Sequence, residues 1–192
     1  MGRIVVTEFI SLDGVIQDPG GSEDYRHGGW SFEFDRGEEG DKFKLDELME
    51  AEAQLLGRVT YEGFAAAWPK YEEQGVAGDF AAKMNRMPKY VVSSTLQEAG
   101  WENTTILSGD PASDVAKLKD EVDGSILVAG SATLVKTLIA NDLVDELRLM
   151  VFPVLLGEGL RAFPEGEAKK RFKLIEAKTA GDEVLTLVYE RA

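Results

Sequence analysis

Ser125-Ile126-Leu127-Val128-Ala129-Gly130-Ser131-Ala132-Thr133-Leu134-Val135-Lys136-Thr137-Leu138-Ile139 reads as a buried strand that turns on a glycine straight into an amphipathic helix. Residues 126–129 are all apolar, which suits a strand covered on both faces. Leu134, Val135, Leu138 and Ile139 then recur at helical spacing. Gly130 stands at the junction, where the lack of a Cβ lets a ligand come close to the backbone. Free N–H groups at a helix N-terminus, together with the helix dipole, suit a pyrophosphate. Many α/β proteins use the same junction as a plain connection, so this unit alone leaves both readings open.

Upstream the same alternation repeats. Residues 4–10 are rich in β-branched side chains and predict a buried strand. Leu45, Leu48 and Met49 predict a helix running to about residue 53, followed by a short strand over 54–56 that Gly57 ends. Thr60 is placed to cap the next helix, and a further helix is expected over 79–85, before Pro88. Tyr90-Val91-Val92-Ser93 and residues 105–107 predict strands, and residues 113–121 a helix. Downstream the pattern is strands only, over 145–156, 172–178 and 184–190, with Gly181-Asp182 marking a hairpin. Alternating elements followed by a strand-rich tail describe an α/β fold of three layers. Its central sheet is mostly parallel, with helices on both faces and an antiparallel C-terminal edge. One domain over residues 1–192 is expected.

Composition narrows the function. With 35 acidic against 21 basic residues the net charge is −14, which repels phosphate backbones and makes nucleic acid a poor partner. Cysteine is absent and His27 is the only histidine, so no metal site is expected. The N-terminal residues lack the layout of a signal peptide, and no apolar run approaches the roughly 18 residues that span a bilayer. A cytoplasmic protein with a small-molecule substrate and no membrane partner is the expectation.

Gly57-Arg58-Val59-Thr60-Tyr61-Glu62 forms a second strand-to-helix junction and adds a guanidinium suited to a phosphate. Ser93-Ser94-Thr95 ends a third strand. All three segments lie at carboxyl ends of predicted strands, where α/β sheets bind ligands. The three-glycine dinucleotide fingerprint and the nucleotide triphosphatase loop are both missing, which argues against an ordinary Rossmann dehydrogenase.

In order along the chain, these segments resemble the dihydrofolate reductase-like family. Gly57-Arg58-x-Thr60-Tyr61-Glu62 resembles its cofactor loop, residues 90–95 its adenine-side strand, and residues 126–138 its second phosphate loop and helix. Ser11-Leu12-Asp13-Gly14 and Pro153-Val154-Leu155-Leu156-Gly157-Glu158-Gly159 resemble the branch containing the reductase domain of bacterial riboflavin synthesis. The resemblance implies NADPH, with NADH open, lying across the strand ends. Arg58 and Ser94 would meet the adenosine phosphate region, and Gly130, Ser131, Ala132 and Thr133 the pyrophosphate. Gly57, Thr60, Ser93 and Thr95 complete the cofactor set. It also implies a cis or otherwise strained peptide at Ala129-Gly130, although Ala129 replaces the first glycine of the usual pair.

Two further departures are visible. Ala132 stands where many dihydrofolate reductases have arginine, and Ser94 where the riboflavin-like branch often does. The acid that protonates dihydrofolate has no recognisable match, with Asp35, Asp41, Asp46 and Glu47 merely nearby. No zinc deaminase signature accompanies the reductase-like segments. The implied activity is NADPH-dependent reduction of a small heterocycle, such as a phosphoribosylaminouracil, a pterin or a relative. A dinucleotide-binding protein of the same fold without turnover is the alternative.

Substrate-side residues follow from position. Asp13 projects where the first strand ends, either to orient substrate or to relay a proton if burial raises its pKa; as an Asp-Gly pair it also fits a plain turn. The long excursion over 13–41 has the length of a functional loop, and its Trp30 is placed to fold over a ligand. Gly157, Glu158 and Gly159 would form the opposite wall by resemblance. Residues 151–156 are apolar on both strand faces, which predicts a homodimer contact.

Overall fold

The computed structural model describes residues 1–75, 77–163, 165–166 and 169–192. β1 (Arg3–Ser11) leads into the long excursion, which holds a 3₁₀ turn (Trp30–Glu33) before α1 (Gly37–Glu50). There follow β2 (Ala51–Gly57), α2 (Arg58–Glu73), α3 (Gly78–Arg86), β3 (Lys89–Val92) and β4 (Thr104–Leu107). Next come α4 (Pro111–Glu121), β5 (Ser125–Ala129) and α5 (Ala132–Ala140). β6 (Glu146–Phe152), β7 (Phe172–Ala180) and β8 (Val184–Arg191) complete the chain. All eight strands join one sheet in the order β4-β3-β2-β5-β1-β6-β8-β7. β1 to β6 run parallel, while β8 is antiparallel to both β6 and β7.

Strand alternation sends Ile4, Val6 and Ile10 to one face, where they pack with Val115 and Leu118 of α4 and Leu134, Val135 and Leu138 of α5. Val5, Leu56, Val91 and Leu127 point the other way, against Leu48 of α1, Tyr61 of α2 and Met84 of α3. Helices therefore cover both faces, as the sequence predicts. Because β1 to β6 are parallel, their carboxyl ends share one edge. β5 follows β4 in the chain yet lies between β2 and β1, so the winding reverses beside it; ligands bind at such reversals. No helix among the described residues is long and apolar enough to cross a membrane.

Three local expectations are corrected. Helical spacing carries α1 to residue 53, but Ala51 and Ala53 belong to β2 and are buried in the sheet. Burial beside β5 overrides the high helix propensity of alanine. The strand expected over 145–156 stops at Phe152, because Pro153 has no N–H to offer a ladder. Phe152 is not a subunit face: it is fully buried, with the rings of Phe9 and Trp30 each 5.3 Å away and that of Phe34 at 5.9 Å.

Candidate functional site

Two strand-to-helix junctions meet at the carboxyl edge, and Ser131 joins them. Its Oγ accepts the Gly57 N–H at 2.8 Å and donates to Thr60 Oγ1 at 2.8 Å. Thr60 thus does not cap α2; Gly57 occupies that position and no side chain bonds to the helix end. The Ala129-Gly130 peptide is not cis, since no cis bond occurs among the described residues. Strain is present in another form, because Gly130 (φ 64°) and Ser131 (φ 66°) are successive left-handed residues. A Cβ on Gly130 would come within 3.0 Å of Thr60 Oγ1, so the two turns pack too closely for a larger residue.

The ends of α2 and α5 have a common electrostatic character. Neither has a side-chain cap or an acidic residue in its first turn. The other three α-helices do carry first-turn acids: Glu38 and Glu39 in α1, Asp79 in α3, Asp114 in α4. In a chain of net charge −14, these two ends keep their N–H groups and dipoles free for an anion. A phosphorylated dinucleotide fits that donor set. Arg58 opens α2, and its guanidinium is paired with Glu62 at 2.9 Å. Val92 pairs with Gly57, which puts Ser93 beside the same junction. The Ser93 hydroxyl accepts the N–H groups of Thr95 (3.2 Å) and Leu96 (3.0 Å), leaving Ser94 and Thr95 exposed.

A hollow of about 790 Å³ opens beside Glu62, floored by Tyr61 and Trp101. Glu62, Glu72, Glu73, Glu98 and Glu102 line it, and these carboxylates repel phosphates. The two acid-free helix ends are the better anion seat.

Asp13 belongs to a second cluster on the same edge. Its carboxylate accepts the Ser11 hydroxyl (2.6 Å) and the N–H groups of Leu156 (3.1 Å) and Gly157 (2.8 Å). Backbone bonds from Leu12 to Val154, from Ile16 to Leu160 and from Ala162 to Gly14 sew the two loops together. The Ser11 hydroxyl is the largest influence on Asp13, and with the two amides it holds the pKa down to about 2. This carboxylate is ionised at neutral pH and accepts hydrogen bonds, the opposite of the raised pKa that a proton relay needs. Asp13→Asn places an NH₂ against backbone donors, and it should cost about 1–2 kcal/mol in a urea melt. Gly157 and Glu158 sit on this clasp, with Tyr25 donating to the Glu158 carbonyl at 2.8 Å and His27 lying 3.5 Å from its carboxylate. A Cβ on Gly159 would meet Val15 and the Tyr25 hydroxyl at 2.8 Å. Trp30 is absent from this wall: it is buried in the aromatic cluster around Phe152 and donates from Nε1 to the Gln17 carbonyl at 2.8 Å.

One buried acid does not figure among the sequence-derived site residues. Glu8 shares a β1 face with Ile4, Val6 and Ile10, and is only 4% exposed. Its Oε1 has no hydrogen-bond partner among the described residues. Burial pushes its pKa up to about 8; Lys44 and the Gly130 N–H oppose this, and Glu47 adds to it. On the opposite face, Thr7 Oγ1 donates to the Glu47 carboxylate at 2.8 Å, and Lys44 donates to Thr7 at 2.7 Å and pairs with Glu47. A carboxyl in mid-strand among apolar neighbours is the signal that could have flagged Glu8.

The fold is that of an α/β protein of the dihydrofolate reductase-like type. The chain matches the RibD C-terminal domain model over residues 3–186, and it belongs to that family. Two Bacillus subtilis (strain 168) proteins are similar nearly end to end. YwjB is 31% identical over 190 residues, covering 99% of this chain and 98% of that protein. YyaP is 29% identical over 188 residues, covering 97% and 94%. Among solved structures, a putative riboflavin biosynthesis protein from Shewanella sp. PV-4 superposes with a TM-score of 0.75 at 22% identity, covering 99% of each chain. A pyrimidine reductase-like protein from Corynebacterium diphtheriae gives 0.62 at 13% identity, covering 99% of this chain and 92% of that one. At those identities the structural likeness speaks for the fold.

Proposed function

We propose that the protein is a reductase that uses NADPH to reduce a C=N or C=O bond in a small heterocycle, a phosphoribosylaminouracil, a pterin or a relative. The observation that carries this reading is the pair of uncapped, acid-free helix ends joined through Ser131. When bound, the dinucleotide supplies the hydride. Around it, Gly130, Ser131, Ala132 and Thr133 would hold the pyrophosphate, with Arg58, Ser94 and Thr95 toward the adenosine phosphates. The clasp of Asp13 with residues 157–159 would wall the substrate side, with Asp13 orienting rather than donating. Titration with NADPH, then addition of each heterocycle while following nicotinamide absorbance, tests the reading. Tight binding with no oxidation by any of them would make this a dinucleotide-binding protein instead.

Arg58→Ala should weaken NADPH about tenfold, the loss of one charge-assisted contact. A smaller effect on NADH would put that contact on the 2′-phosphate, and an equal effect on the pyrophosphate. Glu62→Gln should strengthen NADPH binding, because it frees the guanidinium from its partner on the same helix.

A homodimer is also proposed, with Leu155 the part of segment 151–156 that would take part while Phe152 stays in the core. Leu12, Leu155, Leu160 and Phe163 are 61%, 71%, 51% and 41% exposed around the two-loop clasp, an apolar set that a second copy would cover. Light scattering at micromolar concentration should give twice the chain mass; a monomer refutes the dimer.

A further inference from the structure

The strand pairing around β1 is uneven. On one side β1 pairs with β6 as far as Ser11 and Phe152, while on the other its pairing with β5 ends at Thr7 and Ala129. Beyond that point β5 leaves the sheet through the Gly130–Ser131 turn. Residues 8–11 therefore have an edge without a strand beside it, and Glu8 stands at the head of this seam. The Gly130 N–H faces its carboxyl, so the acid and the anion-binding turn share a residue. Its Oε1 is buried without a partner among the described residues, which in a folded protein asks for a ligand, a water or a function.

We propose that Glu8 is the general acid of the reduction, donating its proton across the β1–β5 seam to the heteroatom of the bond being reduced. The inference rests on the reductase reading above. The substrate carbon takes the hydride, with its electron pair, from the reduced nicotinamide dinucleotide. The π bond to nitrogen or oxygen breaks, and its electrons move onto that heteroatom. The Glu8 O–H bond then breaks as the heteroatom takes the proton, and the carboxylate recovers a proton from solvent. Hydride, proton and electrons balance, leaving oxidised dinucleotide and reduced substrate.

Three features suit Glu8 to this task and Asp13 to another. Burial keeps Glu8 protonated at neutral pH, whereas three donors keep Asp13 ionised. The charged groups that act on Glu8 are both on α1: Lys44, which favours ionisation, and Glu47, which opposes it. Since Lys44 is engaged by Glu47 and Thr7, its pull on Glu8 is partly spent. The acid is thereby poised near the operating pH, where proton transfer is most effective.

The decisive measurement needs no substrate. The nicotinamide ring carries a positive charge in NADP⁺ and none in NADPH, while the phosphates are common to both. If Glu8 faces the ring, its ionisation favours NADP⁺ selectively. The ratio of the NADPH to the NADP⁺ dissociation constant should rise about three- to tenfold between pH 6 and pH 9, as expected for a charge within a few ångströms. In Glu8→Gln the ratio should be flat, with NADPH affinity at pH 6 retained. A flat ratio in the wild type overturns the role of Glu8 and leaves the reductase reading standing. Failure of the wild type to bind either nucleotide overturns both. Carboxyl NMR of the wild type gives an independent check: titration of Glu8 in the ordinary carboxylate range also overturns the proposal. Once a substrate is found, Glu8→Gln should lower turnover about a hundredfold and remove the alkaline limb of its pH profile, with Glu8→Asp restoring part of both.

Discussion

Trp30→Ala is expected to cost about 3–5 kcal/mol of unfolding free energy, the usual range for truncating a fully buried aromatic, and to leave NADPH affinity of the folded protein unchanged. Trp30 is 1% exposed although it lies in a long connection. Its ring meets Phe152 edge to face, and Phe152 in turn contacts Phe9 on β1 and Phe34 just after the 3₁₀ turn. Truncation removes one of the three rings packed around Phe152 and leaves the Gln17 carbonyl without the indole donor. Gln17 also accepts the Leu160 N–H through Oε1 at 3.0 Å, so the damage reaches the loop that carries Gly157 and Glu158. Denaturant melts of the wild type and the variant, each with an NADPH titration at low denaturant, decide the matter. A variant of nearly native stability that has lost NADPH affinity would make Trp30 a lid after all.

The contrast between Trp30 and the phosphate turn shows what a sequence can carry. In residues 125–139 two local signals agree, an unbroken apolar run and a 3.6-residue period, and both are set by neighbours close in the chain. The strand, turn and helix could therefore be read directly, along with the carboxyl edge on which they lie. The aromatic residues of the long loop show that it packs, yet the partner is Phe152, brought in by the pairing of β1 with β6. No local pattern holds that information. Asp13 is a similar case. Its position at a strand end was legible, but its pKa depends on the amides of Leu156 and Gly157, which only the folded loops deliver. Glu8 was hidden because an acid inside a β-branched run looks like an ordinary alternation until the face it points to is known to be covered by α4 and α5. The same holds for Ala51 and Ala53, since alanine's local preference for a helix says nothing of a neighbouring β5.

Stability should also fall as pH rises from about 4.5 to about 8 in the wild type, and Glu8→Gln should remove much of that fall. In the folded protein the Glu8 pKa is raised to about 8 from an ordinary value of 4.5. Between these values the folded state keeps a proton that the unfolded chain releases, so the folded state loses stability with each step in pH. The contribution is complete below about 4.5 and gone above about 8. Its slope is at most about 1.4 kcal/mol per pH unit for one group, so a total of several kcal/mol is expected. Asp13 and Lys89 act outside the window, whereas Glu23, also raised from 4.5 by burial, adds to the fall at the acid end of it. Asp13, lowered to about 2, adds stability that is lost only in acid, as pH falls from about 3.8 toward 2. Lys89 is lowered to about 8 by burial, so its folded form gives up a proton before the unfolded one does. That raises relative stability with pH above about 8, where Glu8 no longer contributes. Glu23 contributes to wild type and variant alike, so the difference between their urea melts at intervals from pH 5 to pH 8 isolates Glu8. The wild-type curve should slope downward and the Glu8→Gln curve should be flatter, crossing to become the more stable protein toward pH 8. Parallel curves would mean that Glu8 ionises in the folded state as readily as in water, and that its buried seat at the β1–β5 seam is not the desolvated environment its packing describes.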